Sequence, residues 1–308
     1  NFMLFLLLLI FFNSILISNK MDKPDFDKLW DYNDPAATEI KFREILPEVE
    51  KFGDKDLIAQ LHTQIARTYG LRSKFDEAHK ILDSVLVMLS EDTPVAEVRY
   101  MLERGRTYRS SGNVDKSRPF FLEAYQKSIE RGLDYHAVDA AHMMVIIEKG
   151  EEALKWNDIA IRDAENSKDE ITKGWLGSLY NNVGWTYFEM KNFEKSLEIF
   201  EKNVDWHTNK KTVRGLQIAK WCVARVNREL GNLDKAFELQ MNLLNEIELN
   251  KQDQDGYVYE ELGEILLAKN KIEESKSYFS KAYELLSKDE WLMKNESARM
   301  ERIKSLSK

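Results

Sequence analysis

The sequence contains little glycine, proline or cysteine. Its 308 residues include 13 glycines and 5 prolines, while 43% of the residues are hydrophobic and 32% are charged. Glycine and proline mark most turns, so their scarcity in a chain with enough apolar residues for a core favours helices joined by short loops. Cys222 is the only cysteine, which excludes an intrachain disulfide and is typical of a reducing compartment. No activating base stands beside it in the sequence, so we expect a small buried hydrophobic residue.

The chain also lacks an excess of positive charge. It has 45 Lys and Arg against 53 Asp and Glu, which gives a net charge of −8 at pH 7. The overall field therefore does not favour binding to nucleic acid or to anionic lipid. We expect no nucleic-acid partner.

Sequence motifs for common enzymatic chemistry are missing. There is no glycine-rich phosphate loop, no H-E-x-x-H, no paired C-x-x-C and no G-x-S-x-G. His136, Asp139 and His142 form the best metal-like cluster, but a separation of six residues places the two histidines on different faces of a helix. We expect these three residues to be structural or to line a binding groove. We predict no metal, no cofactor and no enzymatic activity.

Residues 1–20 need an interpretation separate from that of the rest of the chain. An unbroken apolar run extends from Phe2 to Phe12, without the basic residue ahead of it or the small-residue cleavage site of a secretory signal. The run is short for a membrane-spanning helix. If it does insert, Lys20 and Lys23 follow it and would keep the rest of the chain on the cytoplasmic side of the membrane.

A second interpretation of residues 1–20 stays open. The chain begins with Asn1, and an ordinary polar sequence starts at Met21, so the segment could be a non-native over-read of an AT-rich gene. Under both interpretations we expect the folded part of the chain to be cytoplasmic, tethered to the inner face of a membrane only if residues 1–20 are a real anchor.

One template recurs six times along the chain. It begins with a small residue, found at Ala66, Gly105, Ala141, Gly184, Ala224 and Gly263. Nine residues later stands a mostly apolar position, at Phe75, Val114, Gly150, Phe193, Leu233 and Ile272. The next residue is acidic in every copy, and a second small residue follows two positions after the acidic one. A periodic pattern of this kind indicates a repeat architecture.

Each element of the template has a physical reason. Two small residues allow a pair of antiparallel helices to approach closely, where larger side chains would hold them apart. An acidic residue at the start of the second helix meets exposed N–H groups and the positive end of the helix dipole. We therefore predict that every copy is a helix pair.

The pattern resembles the tetratricopeptide repeat (TPR). The resemblance is clearest in one copy, with Tyr180, Val183, Gly184, Tyr187, Phe193, Ser196 and Phe200. The resemblance implies an all-α fold, a right-handed superhelical solenoid of antiparallel helix pairs with about six repeats plus capping helices. It also implies a protein or peptide partner, and a concave groove lined by the first helix of each repeat.

The predicted organisation has four parts. Residues 1–20 are the apolar segment, 21–56 an entry segment and capping helix, 57–286 the six repeats, and 287–308 a C-terminal capping helix. The capping helix near the front is expected to open at Asp34-Pro35. Aromatic residues of the entry segment, between Phe26 and Tyr32, look exposed. Successive small residues are 36 to 43 positions apart, longer than the common 34-residue repeat, so longer helices or connections are expected.

If the resemblance holds, the groove-lining positions lie six and three before, and one and four after, each first small residue. Of these 24 positions, six are Arg, none is Lys and two are Glu, which reverses the sign of the chain. Arginine makes bidentate contacts to carboxylates, and aromatic residues are common at binding hot spots. The predicted peptide-binding residues are Arg67, Arg99, Arg106, Arg109, Tyr135, His142, Asn181, Trp185, Phe188, Trp221, Arg225 and Arg228.

Several functions remain open. The leading hypothesis is a scaffold or adaptor that binds an extended acidic peptide of another protein. The alternatives are a regulatory peptide sensor and a membrane-tethered assembly factor. For the residues themselves the competing interpretation is structural: the arginines pair with acidic groups on neighbouring helices, and the tryptophans pack between repeats.

Overall fold

A computed structural model describes residues 22–308, so the predictions for residues 1–20 lie outside the described part of the chain. The described residues form helices and no β-strand, which confirms the all-α prediction. None of these helices combines the length and the apolar character needed to cross a membrane. Two compact units are present, an N-terminal unit ending at Ala124 and a C-terminal unit starting at Tyr125.

The N-terminal unit begins with a short 3-10 helix, Phe26–Leu29, and continues with α-helices. These are α1 Pro35–Phe52, α2 Lys55–Leu71, α3 Phe75–Leu86, α4 Pro94–Ser110 and α5 Val114–Glu130, the last of which contains the unit boundary. Helix α1 opens as predicted. The Asp34 side chain accepts a hydrogen bond of 2.9 Å from the Ala37 N–H, and Pro35 occupies the first turn, where no N–H is needed.

The aromatic residues of the entry segment are less exposed than predicted. Phe26 is only 2% exposed and packs edge-on against Phe42 of α1, with ring centroids 6.1 Å apart. Trp30 is half-buried and contacts the same ring at 5.2 Å, whereas Tyr32 remains 60% exposed. The prediction of exposure is therefore wrong for Phe26 and Trp30, because α1 offers them an apolar face that the local sequence does not reveal.

The C-terminal unit contains the remaining helices. These are α6 Asp134–Ile147, α7 Gly150–Asn166, α8 Glu170–Lys173, α9 Leu176–Glu189, α10 Phe193–Lys210, α11 Val213–Glu229, α12 Leu233–Leu249, α13 Gly256–Ala268, α14 Ile272–Leu286, α15 Glu290–Asn295 and α16 Ser297–Leu306.

Two local predictions need correction. The segment from Glu290 to Leu306 was expected to be one helix but forms α15 and α16, because Glu296 leaves the helical conformation at φ −119°. This break allows Leu292 and Ile303 to be buried in the same apolar cluster. The longest spacing between repeats comes from an insertion that the sequence pattern did not locate, the one-turn helix α8.

The repeat template corresponds closely to the helix pairs. All six second helices (α3, α5, α7, α10, α12 and α14) begin at the predicted apolar position, and the acidic residue lies in the first turn of each. In the three copies whose small residue is glycine, that glycine faces a ring on the second helix. A Cβ added to Gly105 would lie 2.5 Å from Phe121, and one added to Gly263 would lie 2.9 Å from Phe279. Both rings are fully buried, so these glycines set the approach of their helix pairs.

This close approach can be tested with a pair of glycine substitutions in the N-terminal unit. For Gly105→Ala, we expect the free energy of unfolding to fall, because overpacking costs roughly 1–3 kcal/mol and exceeds the gain of up to about 1 kcal/mol in helix propensity. Gly70→Ala on α2 is the control, since its Cβ would lie an ordinary 3.8 Å from Thr107 Oγ1. Urea denaturation should show a loss only for Gly105→Ala. Equal stability of the two variants would contradict the packing argument.

Candidate functional site

Two of the predicted groove arginines in the N-terminal unit share one buried carboxylate. Glu103 on α4 is 3% exposed. Arg67 Nη1 on α2 donates to both of its oxygens, at 3.0 and 3.1 Å, and Arg106 Nη1 donates to one at 2.6 Å. The carboxylate is thus satisfied, and two guanidinium groups meet at it.

The other two predicted arginines of this unit have different surroundings. Arg99 on α4 makes a bidentate pair with Asp27 of the entry segment, at 2.9 and 2.5 Å. Arg109 is exposed at the end of α4 and makes no ion pair within the described part of the chain. The structure therefore places Arg67, Arg106 and Arg109 on α2 and α4, with Arg67 and Arg106 at one carboxylate and Arg109 exposed.

In the C-terminal unit, Arg225 and Arg228 on α11 also meet a buried carboxylate. Glu261 on α13 is 3% exposed. It accepts a bond of 2.6 Å from Arg228 Nε, and its second oxygen is 3.7 Å from Arg225 Nε. Arg225 also pairs with Glu229 on its own helix. Burial raises the pKa of Glu261, and the two guanidinium groups partly offset this effect. Two arginines and two glutamates leave this group close to neutral.

The two buried glutamates were not singled out in the sequence, yet they follow one rule. Each glutamate lies two residues before the small residue in the first helix of its own repeat. It contacts the arginine that lies one residue after the small residue in the first helix of the preceding repeat. Both pairs, Arg67 with Glu103 and Arg225 with Glu261, are separated by 36 residues. We call this relation the inter-repeat contact. A search for opposite charges about one repeat apart could have found it.

Other residues make the inter-repeat contact with different chemistry. His142 Nδ1 on α6 is 3.1 Å from Asn182 Nδ2 on α9, within hydrogen-bond distance. At the two ends of the repeats, capping elements supply the missing partner. Trp30 Nε1 of the entry segment donates to Gln64 on α2 at 3.1 Å, and Arg302 on α16 pairs with Glu264 on α13.

The predicted aromatic residues of the C-terminal unit lie together and are mainly packing residues. Trp185 is 5.0 Å from Phe188 and 6.0 Å from Trp221 between ring centroids. The indole N–H of Trp221 donates to the Tyr257 carbonyl at 3.0 Å, across to the next first helix. Arg225 lies over the Phe188 ring at 5.1 Å. All of these rings are half-buried, so they contribute to packing between repeats and stay partly exposed to solvent.

Tyr135 and His142 face a different tryptophan, whereas Asn181 contacts the cluster that contains that aromatic group. Tyr135 and His142 both face Trp175, with ring centroids 5.8 and 5.2 Å away. Trp175 was not among the predicted residues, because it stands between α8 and α9, outside the repeat template. Asn181 contacts Cys222 at 3.9 Å. Burial raises the pKa of the Cys222 thiol to about 12, so this cysteine is the buried, unreactive residue that the sequence predicted.

A cleft of about 490 Å³ lies between α10, α11 and α12. Its lining residues are Glu201, Val204, Asp205, Lys220, Val223, Leu239, Asn242, Leu243 and Glu246. Lys220 pairs with Glu246 at 2.6 Å across this cleft. None of the lining residues belongs to the predicted groove set, so the cleft is a separate surface.

Comparison with protein families identifies part of this architecture. A family model for the tetratricopeptide repeat matches residues 177–206 and 257–287, which correspond to the pairs α9–α10 and α13–α14. The resemblance stated from the sequence is thereby confirmed. Comparison with characterised protein sequences finds no significant match.

Solved structures share the fold at low sequence identity. A signal transduction ATPase with a tetratricopeptide-repeat sensor from Pyrococcus horikoshii aligns with a TM-score of 0.68 and 16% identity, over 90% of this chain and 44% of that one. The apo form of RapI aligns at 0.67 and 13%, over 91% and 81%. NprR in complex with its cognate peptide NprX aligns at 0.51 and 16%, over 91% and 81%. The chain spans less than half of the P. horikoshii protein, and these similarities show the fold alone.

The buried carboxylate of the C-terminal unit generates a stability prediction. Glu261→Gln should lower the free energy of unfolding by about 1.5–3 kcal/mol, because it removes a charged acceptor from two poorly solvated guanidinium groups. Glu229→Gln removes an equal charge from the same arginines but at an exposed site, so its effect should stay within about 0.5 kcal/mol. Urea denaturation measures the free energy of unfolding of the two variants. An effect of Glu229→Gln as large as that of Glu261→Gln would show that burial is not the cause.

Proposed function

We propose that this protein, whose chain carries tetratricopeptide repeats, is a scaffold or adaptor that binds an extended acidic peptide of another protein and catalyses no reaction. The observation that carries the proposal is the group of guanidinium groups on α2 and α4. Arg67 and Arg106 meet at the Glu103 carboxylate, Arg67 Nε is buried without a hydrogen-bond partner among the described residues, and Arg109 adds an exposed charge one turn further along α4. A carboxylate of a bound peptide would find donors there in Arg67 and Arg109.

The surroundings of these arginines also favour a peptide over a simple anion. Arg67 lies over the Trp30 and Tyr32 rings, at 5.9 and 5.5 Å from their centroids. A guanidinium group that stacks on aromatic rings in this way suits a segment that alternates acidic and apolar side chains. The peptide complex of NprR supports this proposal, since it is an example of peptide binding by a protein with this fold.

We propose the peptide-binding surface in the N-terminal unit and not in the C-terminal unit. There, Arg225 and Arg228 are balanced by Glu229 and Glu261, and Trp185 is packed into a core cluster. These contacts favour the structural interpretation of those residues. We expect their substitution to affect stability first and to affect peptide affinity only as a consequence.

The regulatory alternative has one supporting observation. The P. horikoshii protein of similar fold carries a tetratricopeptide-repeat sensor. A sensor of this kind requires two conformations that the ligand binds with different affinity. The membrane-tethered alternative depends on residues 1–20, which lie outside the described part of the chain.

The experiment is a selection of random twelve-residue peptides displayed on phage, followed by affinity measurements on synthetic copies of the enriched sequences. We expect the enriched peptides to carry net negative charge and at least one large apolar residue, and their dissociation constants to rise with ionic strength. The double variant Arg67→Gln, Arg109→Gln should weaken binding by about tenfold or more, since each lost charge-assisted hydrogen bond contributes about 1.5–3 kcal/mol.

A matched control removes the same charge elsewhere on the N-terminal unit. Lys51 and Lys80 are exposed on α1 and α3, so Lys51→Gln, Lys80→Gln should leave the affinity within about twofold, as expected for charges screened by salt. Circular dichroism would first establish that both double variants are folded. Enrichment of neutral or basic peptides, or equal affinity of the two double variants, would refute the proposed site.

A further inference from the structure

Residues 25–32 of the entry segment lie on the same surface that the proposed function assigns to a peptide. Their sequence is Asp-Phe-Asp-Lys-Leu-Trp-Asp-Tyr, an acidic segment with apolar residues at intervals. Both carboxylate oxygens of Asp27 are bound by Arg99, and the Phe26 ring lies 5.6 Å from the same guanidinium group. The segment thus reaches from α1 to α4, in contact with residues 72 positions further along the chain.

The second half of the segment covers Arg67. Trp30 and Tyr32 stack with their rings parallel, 1° apart in orientation and 4.7 Å between centroids. Arg67 lies over both rings, and Trp30 donates to Gln64 on α2. Arg67 Nε is itself buried and has no hydrogen-bond partner among the described residues. Trp30 and Tyr32 thus cover Arg67 without supplying a hydrogen-bond acceptor to its Nε–H group, and a buried donor without an acceptor costs free energy.

The residues of the entry segment that make these contacts differ in burial. Phe26 is 2% exposed and belongs to the core formed with α1 and α2. The Asp27 side chain is 47% exposed and Tyr32 is 60% exposed. Release of Asp27 and Tyr32 would therefore expose little apolar core, and Phe26 could stay in place and keep the segment attached. Leu29 and Trp30 do pack against this core, so the surface that they leave needs the apolar residues of a partner segment to cover it again.

We infer that the α2–α4 surface around Arg67 and Arg99 binds a segment in which an aspartate or glutamate is followed three residues later by a tryptophan, and that residues 27–32 occupy this surface in the ligand-free chain. A partner segment of the same chemistry competes with them for Arg67 and Arg99. This inference rests on the proposed function and names both the partner chemistry and the internal competitor. The apparent affinity for a partner is then reduced by the fraction of chains in which the surface is already occupied.

The test uses the full chain and a fluorescein-labelled synthetic peptide with the sequence of residues 23–34. Asp27→Arg should repel the internal segment from Arg99 and free the surface. Fluorescence anisotropy should show that this variant binds the peptide about tenfold more tightly than the unaltered chain does, in proportion to the population of free surface. A scrambled peptide of the same composition should bind neither protein.

Asp25→Arg is the matched control. It makes the same change of charge two residues away, but Asp25 is exposed and its recorded ion pair is with Lys28 of the same segment, at 3.0 Å. We expect the affinity of this variant for the peptide to equal that of the unaltered chain. Adding Arg67→Gln to Asp27→Arg should remove the gain, because the tryptophan and tyrosine of the peptide would lose their cationic partner.

Hydrogen exchange separates the ways in which the inference could fail. Residues 27–32 should exchange faster in Asp27→Arg than in the unaltered chain, while residues of α1 keep their protection. Unchanged exchange would show that the Arg99 pair does not hold the segment. Faster exchange without tighter peptide binding would show that the uncovered surface is not a binding site for this chemistry. Either result overturns the inference, whereas failure of the phage selection would overturn the proposed function independently.

Discussion

The inter-repeat contact is the interaction on which the arrangement of the helices within each unit depends. Arg67 with Glu103, and Arg225 with Glu261, join consecutive first helices through a carboxylate that is almost fully buried. A buried carboxylate is costly unless charged donors satisfy it. The pair therefore penalises any displacement of one first helix along the next. Close packing at the small residues fixes the partners within each helix pair, and the inter-repeat contact fixes one pair against the next.

The same constraint explains the capping elements at both ends of the chain's described part. A first or last repeat lacks a neighbour on one side, so its contact position would be left unpaired. Trp30 supplies the partner for Gln64, and Arg302 supplies the partner for Glu264. The caps therefore do more than cover apolar surface. At the N-terminal end, this role also places an acidic and aromatic segment against the α2–α4 arginines, which links the stability of the unit to the occupancy of its proposed binding surface.

Much of the fold could be predicted from local sequence, while much of the candidate site could not. The start of each second helix followed from an apolar residue and an acidic one in sequence, since helix capping and dipole effects act within one turn. The roles of Arg225 and Trp221 did not follow. Their partners, Glu261 and the Tyr257 carbonyl, lie 36 residues away, and a helical face pattern cannot distinguish a neighbouring helix from a bound peptide. The break at Glu296 was missed because no glycine or proline marks it, and α8 was missed because it lies outside the repeat template, although Gly174 stands at its end.

The sequence by itself determined the helix pairs, their number within the template and the burial of Cys222, because each depends on periodicity and on residue size. Only the tertiary structure decided the surroundings of the predicted arginines. Arg67 and Arg106 meet at one buried glutamate and Arg67 Nε has no hydrogen-bond partner among the described residues, whereas Arg225 and Arg228 meet two glutamates. Only the tertiary structure also placed Asp27 on Arg99. The free energy of an ion pair depends on distance and burial, and both are properties of the packed helices rather than of the order of residues.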